Sequence, residues 1–362
     1  MSLSVVGIGT AVPEFEIDQA DAAEQASQLC YENVEQHRHV KALYRRAGVQ
    51  KRRSVLLQSA TNGRPAQQTF YVNSSQQTHG PTTAERMLAY ERHAGPLANE
   101  AASRAITHAN VSPFEITHLV TVSCSGFSAP GLDIEILEAL GLSTGVSRTH
   151  LGFMGCHGAL NGLRVAKAFT EADPDACVLL CAVELCTLHL HYGSQPDQIV
   201  ANALFADGAA ALVARRNSTR DSGWQLLDQA SAVIPGSREL MSWRVGDNGF
   251  QMTLSSELPQ LIGHTLEPWL KAWLGQHGLS IAQIASWAIH PGGPRILSSC
   301  GEALKLGPDK LADSQAILAE HGNMSSPTIL FVLDRLQGRE APRPCVALAF
   351  GPGITIEAAL FT

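Results

Sequence analysis

Apolar positions in this chain follow two alternating rhythms. Short continuous apolar runs, at 5–10, Ile116–Val122, Ala176–Glu184 and Gly208–Ala214, read as buried strands. Between them lie stretches with helical spacing, from about Asp18 to Leu29, from about Pro81 to Ala109, at Asp133–Leu140, at Cys156–Thr170 and, briefly, at Ala201–Phe205. Ser147–Leu151 reads as extended. The pattern resumes near Trp224, with helices predicted over 258–275, 293–304, 313–320 and 325–336. Strands are predicted over Ser286–His290, 345–350 and 353–361. Strands alternating with helices imply layered α/β structure with helices covering the sheets. The last strands of the two halves look alike, Ala209-Ala-Ala-Leu-Val-Ala214 and Ala347-Leu-Ala-Phe350. The expected division is an N-terminal half, 1–222, and a C-terminal half, 223–362. Residues 58–82, polar and rich in Gly and Pro, read as a long surface loop.

Composition narrows the function classes. The 362 residues are 45% apolar and 16% charged, enough for a large core and close to the limit of a single one. With 26 basic and 33 acidic residues the formal charge is −7, and the pI of about 6.0 argues against a nucleic-acid backbone binder. The eight cysteines form no CxxC pair and no zinc-type Cys/His spacing, so no metal is expected. No basic segment followed by a long apolar stretch opens the chain, and the apolar run Cys177–Cys186 is short and carries Glu184. Neither a signal peptide nor a membrane span is expected. The expectation is a cytoplasmic protein with reduced thiols.

Three segments carry candidate chemistry. In Gly152-Phe-Met-Gly-Cys-His-Gly-Ala-Leu-Asn-Gly-Leu-Arg-Val-Ala-Lys167 a strand meets a Gly-flanked turn, then Cys156, then a helix. A sulfur at a helix N-terminus is favoured as thiolate, with a lowered pKa. The alternative is a buried structural cysteine. A nucleophilic thiol needs a base or cationic partner. His290 qualifies, because it ends the strand Ala285-Ser-Trp-Ala-Ile289 and precedes Pro-Gly-Gly293, where α/β folds expose reactive groups. His37, His39, His93 and His108 read as surface residues. Asn323 lies in Leu318-Ala-Glu-His-Gly-Asn-Met-Ser-Ser-Pro327, just before a helix. Its amide either donates to an oxyanion or caps that helix.

Together these segments resemble the type III polyketide synthases of the chalcone synthase superfamily, within the thiolase fold. The likeness runs from Val6-Gly-Ile-Gly-Thr-Ala-Val-Pro13 through Cys124-Ser-Gly-Phe-Ser-Ala-Pro-Gly131, Gly155-Cys156 and Ala203-Leu-Phe-Ala-Asp-Gly-Ala-Ala-Ala211. It ends with His290-Pro-Gly-Gly-Pro-Arg295, Glu320-His-Gly-Asn-Met-Ser-Ser326 and Phe350-Gly-Pro-Gly-Ile-Thr-Ile-Glu357. The resemblance implies a duplicated five-layered αβαβα arrangement. It also implies a homodimer acting on malonyl-CoA and an acyl-CoA starter, with no cofactor beyond those thioester substrates.

Residue by residue, the family's nucleophile falls on Cys156, its His on His290, as an imidazolium paired with the thiolate, and its Asn on Asn323. The gatekeeping Phe falls on Phe205. The second pocket Phe falls on Met252, which puts a two-Phe gate in question. Pocket positions fall on Cys124, Ser125, Cys186, Leu188, His189, Trp243 and Ser325, and the Met that crosses the plant dimer corresponds to Ala129. The basic run Tyr44-Arg-Arg-Ala-Gly-Val-Gln-Lys-Arg-Arg53 lies where the family binds CoA. Lys51, Arg52 and Arg53 are the candidate phosphate ligands, with the Gly292-Gly293 turn against the pantetheine.

The implied reaction is decarboxylative condensation of malonyl-CoA onto a Cys-bound fatty acyl or malonyl-derived starter. Cyclisation to a pyrone, resorcinol or polyhydroxy-aromatic product would follow. A ketoacyl synthase III-like condensing enzyme of fatty acid synthesis is the second reading. A degenerate thiolase-fold subunit is the third.

Overall fold

The computed structural model of the protein describes residues 3–30, 34–59, 66–72, 79–193, 195–216 and 224–362. The first half runs β1 (Leu3–Ala11), β2 (Glu16–Asp18), α1 (Gln19–Cys30), α2 (Val34–Arg46), β3 (Lys51–Arg53), α3 (Thr83–Ala109) and β4 (His118–Ser123). It continues with α4 (Leu132–Leu140), β5 (Ser147–Gly152), α5 (Gly158–Ala172), β6 (Cys177–Leu185), α6 (Pro196–Leu204) and β7 (Asp207–Arg216). The second half opens with β8 (Trp224–Val233), β9 (Met241–Gly246), β10 (Gly249–Leu254) and α7 (Leu258–Gln276). Then come β11 (Ser286–Ile289), α8 (Pro294–Leu304), α9 (Pro308–His321), α10 (Thr328–Gly338), β12 (Cys345–Gly351) and β13 (Thr355–Phe361).

Nine strands join in the order β11-β12-β13-β8-β1-β7-β6-β4-β5. The pairing repeats outward from the central β8–β1 pair. On one side β1–β7 and β7–β6 are antiparallel and β6–β4 parallel; on the other β8–β13 and β13–β12 are antiparallel and β12–β11 parallel. The duplication therefore lies in topology rather than in identical sequence. Strand β5 adds one more parallel strand at the outer edge of the first half.

The continuous apolar strands are buried on both faces. In β6, Val178, Leu180 and Ala182 face a central core with α5 and α10, while Leu179, Cys181 and Val183 face α3. In β12, Ala347 and Ala349 face that same central core, and Val346, Leu348 and Phe350 face α7 and α8. The layers are thus α3, sheet, α5 with α10, sheet, and α7 with α8. This is the duplicated five-layered αβαβα arrangement of the thiolase fold.

Most predicted elements appear within a few residues of their expected ends. The start of α3 is a capping box, with the Thr82 side chain accepting from the Glu85 backbone and Glu85 reaching back. Helix α2 and the β9–β10 hairpin were not expected. Helix α6 is longer than its predicted piece, and His290 lies just beyond β11. The 222/223 boundary and residues 60–65 and 73–78 of the predicted loop fall outside the described residues.

Candidate active site

Cys156 stands at the seam of the two halves. After β5 the chain turns through Phe153 and Gly155, both with positive φ (+56° and +70°), into a 3-10 turn over Gly155–His157 that opens α5. Pro352 sits where a side chain at Gly155 would project, so only glycine admits the closing Gly351-Pro352-Gly353 loop so near the sulfur. The Cys156 side chain is half-buried and hydrogen-bonded by the side chains of Ser325 and Asn323.

The predicted lowering of its pKa is corrected by the structure. Burial, aided by the Glu184 charge, pushes the thiol up to about 11, against the opposing hydrogen bonds from Ser325 and Asn323. The helix start lowers the thiol less than desolvation raises it.

Asn323 hangs on a short bridge to the Phe205 turn: its N–H donates to Leu204 O (2.8 Å) and its carbonyl accepts from Ala206 N–H (2.9 Å). Its side-chain Oδ1 accepts from the Ser325 N–H at 2.8 Å, which leaves the Nδ2 donor for the sulfur. His290 is fixed through its backbone, N–H to Leu348 O at 2.8 Å, and is 1% exposed. Among the described residues, neither of its ring nitrogens has a hydrogen-bond partner. Burial, with His157 nearby, pushes its pKa down to about 3. Burial thus works on both groups against the imidazolium–thiolate resting pair expected from the family.

Two carboxylates organise the site, and neither was singled out in the sequence. Glu184, fully buried, accepts from the backbone N–H of Cys124 and Ser125 (2.9 Å each) and from the hydroxyls of Ser125 (2.7 Å) and Ser326 (2.6 Å). Burial raises its pKa. Asp207 accepts from Thr187 N–H, Thr187 Oγ1 and Val55 N–H, and burial raises its pKa to about 6. The available signal was an acid inside an apolar run, because such a group is fully buried only when saturated with donors.

A largely apolar cavity of about 100 Å³ is lined by Cys186, His189, Phe205, Trp243 and Met252 and, on α1, by Ala22 and Ala26; Cys156, His290 and Asn323 lie outside that lining. Five predicted pocket residues, Phe205, Cys186, His189, Trp243 and Met252, line it. The His189 ring stacks on Phe250 (centroids 4.2 Å apart), meets Trp243 edge-on, and bonds to Ser125 O and Phe250 N–H. The Trp243 indole donates to Cys124 O at 2.8 Å. Cys124 and Ser325 lie instead beside Cys156, their side chains 3.4 Å apart.

One pocket expectation is corrected: the Ser125 hydroxyl is engaged by Glu184 and the Leu185 N–H. Ala129 is exposed, as a position that faces a second subunit is in a single chain. A second correction concerns CoA. Arg52 is buried, donates to Asn202 O and Phe205 O, and lies over the Tyr44 ring, so it fastens the Phe205 turn and presents no charge to a phosphate. Lys51 and Arg53 are more exposed and share Glu16. Gly292 and Gly293 follow His290 after Pro291, and Gly293 caps α8.

Among the described residues, no cluster of His, Cys, Asp or Glu is placed to hold a metal ion, and no helix is long and apolar enough to cross a membrane.

The family model for the N-terminal domain of chalcone and stilbene synthases matches residues 2–217, and that for their C-terminal domain matches 225–362. The alpha-pyrone synthesis polyketide synthase-like protein of Mycobacterium tuberculosis is 32% identical over 99% of this chain and 90% of its own length. The 1,3,6,8-tetrahydroxynaphthalene synthase of Streptomyces peucetius is also 32% identical, over 98% of this chain and 91% of its own. The crystal structure of a polyketide synthase, PKS-I, from the brown alga Ectocarpus siliculosus superposes with a TM-score of 0.93 at 29% identity, covering 99% of this chain and 98% of that one. With both domain models matched across nearly all of its length, this chain belongs to the chalcone and stilbene synthase family, the type III polyketide synthases.

Proposed function

We propose that the chain catalyses decarboxylative condensation of malonyl-CoA onto an aliphatic acyl group carried by Cys156, followed by cyclisation to a pyrone or resorcinol. The carrying observation is the Asn323 side chain, whose oxygen is held by Ser325 N–H so that its amide nitrogen faces the sulfur. In this reading the first half, 1–222, supplies the nucleophile, and the second, 223–362, supplies His290 and Asn323.

His290, neutral and buried, takes the thiol proton as Cys156 attacks the starter thioester and returns it to the departing CoA thiolate. Asn323 Nδ2 and the N–H of the neutral imidazole then donate to the malonyl thioester oxygen as carbon dioxide leaves. Donors fixed in a desiccated site stabilise that developing enolate without reorganising. The apolar cavity lined by Phe205, Ala22 and Ala26 favours an aliphatic starter over a malonyl-derived one. The names of the relatives, an alpha-pyrone synthase-like protein and a tetrahydroxynaphthalene synthase, span both chemistries. The ketoacyl synthase III-like reading is not favoured by these matches. Lys51 and Arg53 are the CoA phosphate ligands of this reading, and no further cofactor is needed.

A homodimer fits the open edge of β5, flanked by the exposed Phe127 and Phe153, and free thiols fit a cytoplasmic location. The test is product mass spectrometry with a panel of acyl-CoA starters plus malonyl-CoA. Pyrone or resorcinol ladders from aliphatic starters, absent in Cys156→Ala, are expected. Products from malonyl-CoA alone, or unchanged products in Cys156→Ala, would overturn the reading.

A further inference from the structure

The residue after the nucleophile is itself a buried, fully engaged histidine. His157 is 3% exposed, and its Nδ1 lies 2.5 Å from Asn161 Oδ1. Asn161 Nδ2 donates to Glu357 Oε1 at 3.1 Å, and a carboxylate only accepts, so the amide orientation is fixed. Asn161 therefore offers its oxygen to the ring, and Nδ1 carries the proton. Nε2 is left as an acceptor for the Thr355 hydroxyl. Glu357, also 3% exposed, accepts in addition from Ser231 Oγ (2.7 Å) and Arg164 Nη2 (2.6 Å).

This chain of bonds crosses the seam. His157, Asn161 and Arg164, spaced four and three apart, share one face of the α5 start. Thr355 and Glu357 belong to β13, and Ser231 is the β8 partner of Glu357 in register. The His157 ring fills the space that a side chain at Gly351 would need. Gly351 ends β12, the strand whose Leu348 carbonyl holds the His290 backbone. The turn that presents Cys156 is thus fastened to the strand that fixes His290. Burial lowers the His157 pKa, and the charged groups facing it, Glu357 and Arg164, pair with each other.

We infer that His157 is a positioning residue: through Asn161, Glu357 and Thr355 it locks the Cys156 turn of the first half in register with the His290 strand of the second. The inference rests on Cys156 and His290 acting as proposed above. A misplacement of about 1 Å at a reacting group costs up to about a hundredfold in rate.

The experiment measures malonyl-CoA decarboxylation, thermal midpoint and iodoacetamide labelling of Cys156 in wild type, His157→Phe, His157→Gln and Glu357→Gln. His157→Phe keeps ring bulk and loses both bonds; its kcat is expected to fall at least about tenfold with KM within about twofold. His157→Gln, whose amide both donates and accepts, is expected to recover most of that loss. Glu357→Gln frees the Asn161 orientation and is expected to lower kcat in the same direction with the fold intact, so the test survives if His157→Phe does not fold. Lowered melting with wild-type kcat in His157→Phe, or wild-type kcat in Glu357→Gln, overturns the inference while leaving the proposed reaction standing. A wild-type protein whose Cys156 is unlabelled and which releases no carbon dioxide overturns both.

Discussion

Asn323→Asp separates catalysis from capping more sharply than an alanine does. Asn323 Oδ1 accepts from Ser325 N–H at 2.8 Å, a bond that a carboxylate makes equally well. If the residue only shapes the turn before α10, Asp is benign, whereas Ala costs about 1 kcal/mol of stability. If Nδ2 serves the developing enolate, the order reverses. Losing one oxyanion donor costs about a hundredfold to a thousandfold, roughly 3 kcal/mol. A carboxylate about 4 Å from the enolate adds repulsion on the order of 4 kcal/mol at an effective dielectric of about 20. The expectation is that Asn323→Asp decarboxylates malonyl-CoA more slowly than Asn323→Ala, and both far more slowly than wild type. Carbon dioxide release and thermal midpoint, measured on the same preparations, decide it. An Asp variant with wild-type decarboxylation, beside a less stable Ala variant, would refute the reasoning.

The remaining predictions concern acid, cavity and strain. His290 and His189 are both held near pKa 3 by burial, against an ordinary value of 6.5, so the folded state binds their protons later than the unfolded chain. Stability therefore falls as pH drops from 6.5 towards 3, by roughly 3 kcal/mol per ring between pH 7 and 4. Asp207, at about 6, is protonated earlier in the folded state and offsets roughly 2 kcal/mol of this, and Glu184, also raised by burial, acts in the same direction. Urea titrations giving equal stabilities at the two pH values would contradict neutral buried rings. Cys186→Phe, adding bulk to the cavity wall, is expected to shorten the product mass ladder while leaving acylation of Cys156 by a short starter intact; an unchanged ladder means the cavity holds no growing chain. Ser325→Gly is expected to keep or raise the thermal midpoint yet slow condensation; wild-type turnover would show that its hydroxyl serves only packing.

Where each element follows from local chemistry, the sequence already carried it. The α3 capping box, the apolar strands and the Gly-flanked Cys156 turn obey short-range rules, and the structure has them close to where they were expected. The order of Cys156, His290 and Asn323 was also legible, because each sits in a run of Gly, Pro and small polar residues that suits no regular element. What escaped depends on contacts distant in sequence. The basic run 44–53 reads as a surface charge cluster, yet Arg52 turns inward to carbonyls 150 and 153 residues away. The thiol's expected pKa rests on the helix start alone and omits burial, which decides the sign. Glu184 and His157 are ordinary letters in sequence; only the partners brought to them across the fold define what they do.

Backbone strain points to the same seam from a different direction. Among the described residues, six other than glycine have positive φ. Asn110 and Lys305 cap α3 and α8, and Glu340 follows the end of α10, where left-handed residues commonly terminate helices. The other three do no such service. Phe153 precedes Cys156 by three residues, Ser325 follows Asn323 by two, and Ile354 follows the Gly351-Pro352-Gly353 loop. A residue held there costs about 1–3 kcal/mol and persists only where its surroundings over-determine it. At 325 glycine relieves the left-handed penalty of about 1–2 kcal/mol, at about 0.5–1 kcal/mol of extra chain entropy, so stability alone does not require serine. What glycine lacks is the hydroxyl, which bonds to the Cys156 sulfur and lies 3.4 Å from Cys124 Sγ. The chain accepts strain where it must leave a strand abruptly and still aim a polar group across the seam. Ser325 is therefore the position at which stability and turnover should move in opposite directions.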